Sequence, residues 1–144
     1  MNKYINGLAG YLKDHKIGYS TADDNEDILW FKTKLPDGSA DVLYFISYNE
    51  KEQSFIMLIN HIAKFTEVRT ELMKLMNDFD ADPLSFNCKM YIDQQGELIV
   101  NCCAIIKSGE VVEQMIDYID MSVVAIQKYY PEIVKVTELS ASSN

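Results

Sequence analysis

Residues 71–106 constrain the fold of this chain more than any other stretch. Apolar side chains recur three and four positions apart in its first part, which predicts an amphipathic helix with the stripe Val68, Leu72, Leu75, Met76 and Phe79. Pro83 ends that helix, because the residue before a proline is pushed out of the helical region. Residues 86–92 and 98–106 then alternate around a turn containing Gly96, which predicts a β-hairpin. No side chain here is placed for chemistry, so the stretch indicates fold rather than reaction.

Hydrophobic patterning outside this stretch predicts two further helices and three further strands. The helices are expected over residues 2–16 and 110–129, and the strands over residues 28–35, 41–48 and 54–60. Thr66 and Ser108 are candidate N-caps for the second and third helices. The predicted fold is α+β, an antiparallel sheet with helices on one face, in the order α-β-β-β-α-β-β-α. A ferredoxin-like split is the alternative, which the three-strand start and the long final helix fit less well.

The length of 144 residues favours one α+β domain, expected over residues 1–135, followed by a polar tail over residues 136–144. The formal net charge of −9 disfavours a nucleic-acid partner, because an acidic chain repels phosphate backbones. No window has the roughly 20 apolar residues of a membrane span, and the N-terminus lacks the features of a signal peptide. A cytoplasmic location without membrane contact is therefore expected.

The three cysteines are Cys88, Cys102 and Cys103. An odd number in strand positions favours reduced, buried thiols over a disulfide framework. Cys102 and Cys103 are adjacent, so their side chains should point to opposite faces of a strand. Cys88 and Cys102 could be neighbours across the hairpin, depending on its register.

Residue patterns typical of a catalytic, metal or cofactor site are absent from the sequence. Asp23, Asn25 and Asp27 have the opening spacing of a calcium loop, but Ile28 replaces the turn glycine and Lys34 replaces the bidentate glutamate. The two histidines, His15 and His61, have no histidine or cysteine at metal-binding spacing nearby, and are expected at a helix end and a strand end. The sequence also lacks a glycine-rich phosphate loop and a serine elbow. We therefore predict no catalytic residue, no metal and no cofactor.

Aromatic residues crowd the three-strand segment, and residues 42–48 are apolar at nearly every position. Such a strand is covered on both faces, or is covered on one face and meets a partner with the other. Trp30 and Tyr44 are predicted to share the face opposite the helices, and Tyr91 lies on the nominally wet face of the hairpin. Core packing is the alternative for these rings. If they are exposed, they form an apolar surface suited to a protein partner.

The element order and the 71–106 stretch together resemble the YbjN-like domains and the type III secretion chaperone fold that they share. The matching features are a helix ending in Leu-x-x-Leu-Met-Asn, an aromatic-led strand, an acidic-glycine turn and an apolar strand. They fall on Leu72, Leu75, Met76, Asn77, Phe86, Tyr91, Asp93, Gly96, Leu98 and Val100. The resemblance covers nearly the whole chain, although its motif is short.

This resemblance implies a small acidic protein, often a homodimer, that works by binding other proteins. YbjN-like domains are commonly described as regulators of sensory transduction, and secretion chaperones hold an extended segment of their client. No catalytic residue carries over from the family. The implied dimer surface is the second helix and the hairpin beside it, with Val68, Leu72, Leu75 and Met76 as its candidate residues.

Two hypotheses of function follow from the sequence. The first is a non-enzymatic protein-binding module, chaperone-like or regulatory, that acts as a homodimer with a protein partner of unknown identity. The second is a small-molecule-binding or catalytic α+β domain with a site between the sheet and the helices. That site would use polar groups near strand ends, such as Tyr48, Asn60 and His61.

Overall fold

The computed structural model describes residues 1–67, 69–107 and 109–142, without the side chains of residues 140–142. The candidate dimer residue Val68 and the candidate cap Ser108 lie outside the described residues. Along the described part, three α-helices and six strands form an α+β fold, which confirms the predicted class. The elements are α1 Lys3–Asp14, β1 Tyr19–Ala22, β2 Asn25–Lys34, β3 Asp41–Asn49, β4 Ser54–Asn60, α2 Thr70–Ala81, a 3₁₀ turn Pro83–Ser85, β5 Cys88–Ile92, β6 Leu98–Ile105 and α3 Val111–Ser142.

The strands form one antiparallel sheet in the order β1-β2-β3-β4-β6-β5. The sequence prediction missed β1, so the observed order is α-β-β-β-β-α-β-β-α. β1 has four residues and lies at a sheet edge, where Tyr19 and Ser20 are exposed and no apolar alternation marks the strand. The acidic stretch once compared with a calcium loop is the β1–β2 turn and the start of β2.

Helices cover one face of the sheet, here called the inner face. Two of the helices reach it through ring contacts: Tyr4 of α1 packs edge-on against Tyr48, and Tyr118 of α3 stacks on Phe55 with ring centroids 5.4 Å apart. The core between them consists of fully buried aromatic and aliphatic side chains, the largest being Tyr44, Phe31, Phe55 and Phe79. Burying this apolar surface is the main stabilising contribution to the fold.

A group of hydrogen bonds holds the start of α1 against the sheet. The Asn2 side chain caps the helix by accepting the N–H groups of Tyr4 and Ile5, and its amide donates to the Tyr48 carbonyl at 2.8 Å. The Asn2 N–H donates to Asp27 Oδ1 at 2.6 Å. Asp27 therefore has a structural partner, which agrees with the sequence argument against a calcium loop.

The second helix begins at Thr70 with Arg69 as its N-cap residue, so the predicted start at Thr66 is wrong. It packs beside the other sheet edge, where Asp80 Oδ1 accepts the outward-pointing N–H of Met90 at 2.7 Å. This bond satisfies a donor that an edge strand would otherwise present to solvent.

The final helix extends well beyond its predicted end near Tyr129, and that prediction is wrong. It continues through Pro131 to Ser142. A proline inside a helix removes one hydrogen bond and disfavours the helix, but Ile133 and Val136 are buried beyond it, and their burial favours continuing the helix. The division into a domain over 1–135 and a tail over 136–144 stays a prediction. Among the described residues, no helix is long and apolar enough to cross a membrane.

Candidate functional site: the uncovered sheet face

The face of the sheet opposite the helices carries a continuous strip of apolar side chains. Strand register aligns them: Trp30 lies opposite Phe45, Phe45 opposite Leu58, and Ile56 opposite Cys103. We call this surface the uncovered face and define it by Ile28, Trp30, Leu43, Phe45, Ile56, Leu58, Tyr91, Ile99, Cys103 and Ile105. The helix contacts described above all fall on the inner face or at the β5 edge.

The uncovered face is open to solvent at the end where β4 begins and β6 ends, whereas Leu43 and Ile99 on the same face are buried within the chain. Ile105 and Ile56 are 65% and 47% exposed, whereas Trp30, Phe45 and Leu58 are half-buried by their neighbours in the strip. Isolated apolar residues on a surface are ordinary, but a contiguous strip marks an interaction surface.

Carboxylates are few on this face, which also carries Lys32, Lys34 and Lys89, although the chain has a net charge of −9. The strand positions facing this way carry two carboxylates, Glu26 and Asp41, near opposite ends of β2. Each is paired, Glu26 with the amino group of Met1 at 3.0 Å and Asp41 with Lys34 at 3.5 Å. The acidity of the molecule is therefore carried mostly by its other surfaces.

The structure separates the two aromatic residues that were predicted to share a face. Trp30 is on the uncovered face, but Tyr44 is fully buried on the inner face, stacked on Phe31 with centroids 5.1 Å apart. Its hydroxyl hydrogen-bonds to Ser122 Oγ of α3 at 2.8 Å, and burial raises its pKa. The prediction that Tyr44 shares a face with Trp30 is wrong, because the residue that lies opposite Trp30 on β3 is Phe45. Tyr91, 38% exposed, lies on the uncovered face as expected.

The candidate dimer residues on α2 do not form a surface. Leu72 and Leu75 are 0% and 5% exposed within a single chain, and Met76 is half-buried against the core. These residues fill the space between α2 and the rest of the domain, and the proposal that they meet a second copy stays a prediction. The apolar side chain that α2 does present to solvent is Met73, at 59% exposure.

Polar groups proposed for a site between sheet and helices do not converge. The Tyr48 hydroxyl donates to the Ile106 carbonyl at 2.6 Å. Asn60 is opposite Leu43, five residues from Tyr48 along β3 or about 17 Å. His61 is exposed just beyond β4. Among the described residues, no cluster of histidine, cysteine, aspartate or glutamate is arranged to hold a metal ion.

The three thiols divide between the two faces. Cys88 and Cys102 are buried on the inner face, whereas Cys103 is exposed on the uncovered face beside Ile56. The prediction of opposite faces for Cys102 and Cys103 is confirmed, and the prediction that all three thiols are buried is wrong for Cys103. Sequence alternation around Cys103 contained this information, because the polar residue Asn101 shares its parity.

Comparison with known proteins confirms the fold resemblance. The chain is similar to YbjN from E. coli, a candidate transcription regulator, with 18% identity and a TM-score of 0.55 over 88% of this chain and 87% of that one. It is similar to the ExsC-ExsE complex, with 8% identity and a TM-score of 0.58 over 88% and 92%. It is also similar to the heterodimeric ExoU-SpcU complex from the type III secretion system of Pseudomonas aeruginosa, with 11% identity and a TM-score of 0.54 over 85% and 94%. No family model and no curated protein matches the sequence.

Proposed function

We propose that this chain is a non-enzymatic, protein-binding module of the chaperone-like or regulatory kind, and that it acts as a homodimer in the cytoplasm. The observation that carries the proposal is the uncovered face, an apolar sheet surface against which no described helix packs. Exposed apolar surface of this extent is costly in a protein that remains alone, because it orders water without any compensating contact.

A second copy of the chain is the occupant that best suits the exposed end of this face, where β4 begins and β6 ends. Two molecules that each carry a net charge of −9 repel one another over most of their surfaces. The uncovered face is where they can meet, because its carboxylates lie near its ends and are already paired. A two-fold contact there places Ile56, Cys103 and Ile105 near their counterparts.

The proposed protein partner contacts the flanks of the same face. Trp30 on β2 and Tyr91 on β5 lie on either side of the central strands, and both rings offer large amphipathic contact area. Two of the solved structures that share this fold are complexes with another protein chain, ExsE in one case and ExoU in the other. That association supports a protein partner here and leaves its identity open.

Light scattering coupled to gel filtration tests the homodimer. The wild type at tens of micromolar should have twice the 16.5 kDa mass of one chain. Ile105→Glu should give a monomer, because it places a charge within the proposed contact and leaves the core intact. Met73→Glu is the matched control, since Met73 is exposed to a similar degree on α2 and should leave the dimer unchanged.

Two outcomes contradict the proposal. A wild type that stays monomeric excludes the homodimer. A dimer that is lost in Met73→Glu and kept in Ile105→Glu moves the contact to α2, as the sequence first indicated.

Partner binding is tested separately by pull-down from an extract of the native cells. Proteins captured by the wild type should be lost with Trp30→Ala and with Tyr91→Ala. Tyr19→Ala is the control, because Tyr19 is also 38% exposed but lies opposite Phe31, on the other face of the sheet. If both flank variants keep every specific partner, the uncovered face is not the binding surface.

A further inference from the structure

Cys88 and Cys102 occupy directly opposite positions on the two strands of the β5–β6 hairpin. Both are buried, both are free thiols, and both side chains point to the inner face. Neither takes part in the protein-binding surface proposed above.

Backbone hydrogen bonds identify the type of pair that they form. The Asp93 N–H donates to the Glu97 carbonyl at 3.0 Å, so these two residues are a hydrogen-bonded pair of the ladder. Hydrogen-bonded and non-hydrogen-bonded pairs alternate along an antiparallel ladder. Cys88 and Cys102 are five positions further along, which makes them a non-hydrogen-bonded pair.

Two other hydrogen bonds also indicate that Cys88 and Cys102 form a non-hydrogen-bonded pair. The Met90 N–H, two residues from Cys88, points away from β6 to Asp80 Oδ1. The Ile106 N–H, four residues from Cys102, points away from β5 to the Gln53 carbonyl. The backbone polar groups of Cys88 and Cys102 therefore also point away from each other.

This geometry lies within the range of a disulfide. Opposed residues of a non-hydrogen-bonded pair have Cα atoms about 4.5 Å apart and the closer of the two Cβ separations, about 4.5 Å. A disulfide needs Cα atoms about 4.4–6.8 Å apart and Cβ atoms about 3.5–4.5 Å apart. Cys103 cannot replace Cys102, because its side chain is on the other face of the sheet.

The two thiols face one another across the hairpin. Their interaction lowers the pKa of Cys88 and raises the pKa of Cys102. Because Cys88 also lies on the edge strand β5, we place it as the attacking thiol and Cys102 as the resolving thiol.

We propose that Cys88 and Cys102 form an oxidisable dithiol, a redox modification site that a small hydroperoxide converts to a cross-strand disulfide. The Cys88 thiolate attacks the peroxide, which breaks the O–O bond, gives a sulfenic acid and, after protonation, releases one water (an alcohol for an organic peroxide). The Cys102 sulfur then attacks the Cys88 sulfur, forms the S–S bond and releases the second oxygen as water. The two thiols lose two electrons and two protons, and a thiol reductant reverses the reaction.

Access to the buried pair comes from its place at the sheet edge. β5 is the outermost strand on its side, and edge elements open locally at lower free energy than central strands. Phe86, two residues before Cys88, has φ = 49°, a strained conformation for a bulky residue, and its ring is exposed. Local opening of the hairpin is therefore expected to begin beside Cys88.

The test uses Cys103→Ser, which leaves the buried pair as the remaining thiols. The reduced, folded variant is treated with hydrogen peroxide, then unfolded and alkylated with iodoacetamide, and its mass and peptides are measured. Two alkylatable thiols should fall to none, with one linked peptide that joins Cys88 to Cys102, and dithiothreitol should restore both. Cys102→Ser in the same background should stop at a sulfenic acid on Cys88, trapped by dimedone.

Two results overturn the proposal. One is a treated Cys103→Ser variant that keeps both alkylatable thiols. The other is oxygen gained separately on each sulfur with no linked peptide. Neither result depends on the oligomeric state, so this site and the proposed homodimer stand or fail independently.

Discussion

The hydrogen bond between Tyr44 and Ser122 provides a sharp test of how α3 packs on the sheet. The Ser122 hydroxyl donates to the Ile119 carbonyl at 2.6 Å, which leaves the Tyr44 hydroxyl as donor to Ser122 Oγ at 2.8 Å. Both residues are fully buried. Removing either partner breaks the same bond, but the two deletions leave different atoms behind.

Tyr44→Phe removes the donor and leaves Ser122 still bonded to a carbonyl. Its cost in unfolding free energy is therefore that of one net hydrogen bond, about 1 kcal/mol. Ser122→Ala leaves the Tyr44 hydroxyl buried without its partner, which costs about 1–3 kcal/mol. The alanine recovers about 0.5 kcal/mol of helix propensity at an α3 interior position. A net loss of about 0.5–2.5 kcal/mol follows for Ser122→Ala.

The double variant separates this reasoning from simple loss of packing. Removing both partners leaves no orphaned polar atom, so Tyr44→Phe with Ser122→Ala should be more stable than Ser122→Ala alone. Urea denaturation followed by circular dichroism measures all three. If the two single losses add in the double variant, the pair is not coupled and the argument from an unsatisfied hydroxyl is refuted.

Two other sites give predictions of direction and size. Gly96→Ala should lower the free energy of unfolding by about 2 kcal/mol or more, because φ is +81° and the new Cβ would lie 2.1 Å from the Phe65 carbonyl oxygen. Gly38→Ala, at φ = +75° with open space around it, should lower it only by the conformational penalty of about 1–2 kcal/mol. Thermal melts compare the two variants. The hydrogen bond from Lys128 lowers the pKa of Asp82 from 3.8 to about 2. The ionised Asp82 carboxylate therefore contributes stability above pH 3.8, and this contribution is lost as the pH falls toward 2. Asp82→Asn should therefore flatten the loss of stability between these pH values in urea titrations, and an unchanged slope would contradict the assignment.

The hairpin was the part of the fold that the sequence predicted best. Its residues alternate clearly between apolar and polar, so periodicity alone assigned the inner face to Met90, Val100 and Cys102. Its glycine turn also fixed the loop, because Gly96 adopts the positive φ that such a turn needs. Phe86 was the error here: it was placed at the head of the strand, but β5 begins at Cys88.

Periodicity could not assign the faces of β3, because residues 42–48 are apolar at nearly every position. A shift of one residue in the register of a strand moves every side chain to the other face. The register is set by the β2–β3 turn, where the Leu35 N–H bonds to the Ala40 carbonyl at 2.9 Å. From that bond the pairing runs to Phe31 with Tyr44 and Trp30 with Phe45. Which β3 ring lies on the uncovered face thus depended on turn geometry rather than on hydrophobicity.

The helix end near Tyr129 shows a different limit of sequence reasoning. Proline is unfavourable inside a helix, so local propensity ended α3 too early. Pro131 itself is exposed, while Ile133 and Val136 are buried on the opposite side of the same turns. Tertiary burial of about 1.5–3 kcal/mol per large apolar side chain offsets a penalty of about 3 kcal/mol. Local rules contain no information on what a segment packs against.

Neighbouring residues on β3 now carry different roles for a physical reason. Tyr44 has its ring and hydroxyl satisfied within one chain, so substitutions there change folding. Phe45 is half-buried beside Trp30 and Leu58, so part of its apolar surface is still available for burial by another molecule. If the proposed contact forms, truncating Phe45 should weaken association as well as folding. Because successive side chains of a strand alternate between faces, the sheet can keep a fully satisfied core and a partly exposed apolar face separated by the thickness of one strand.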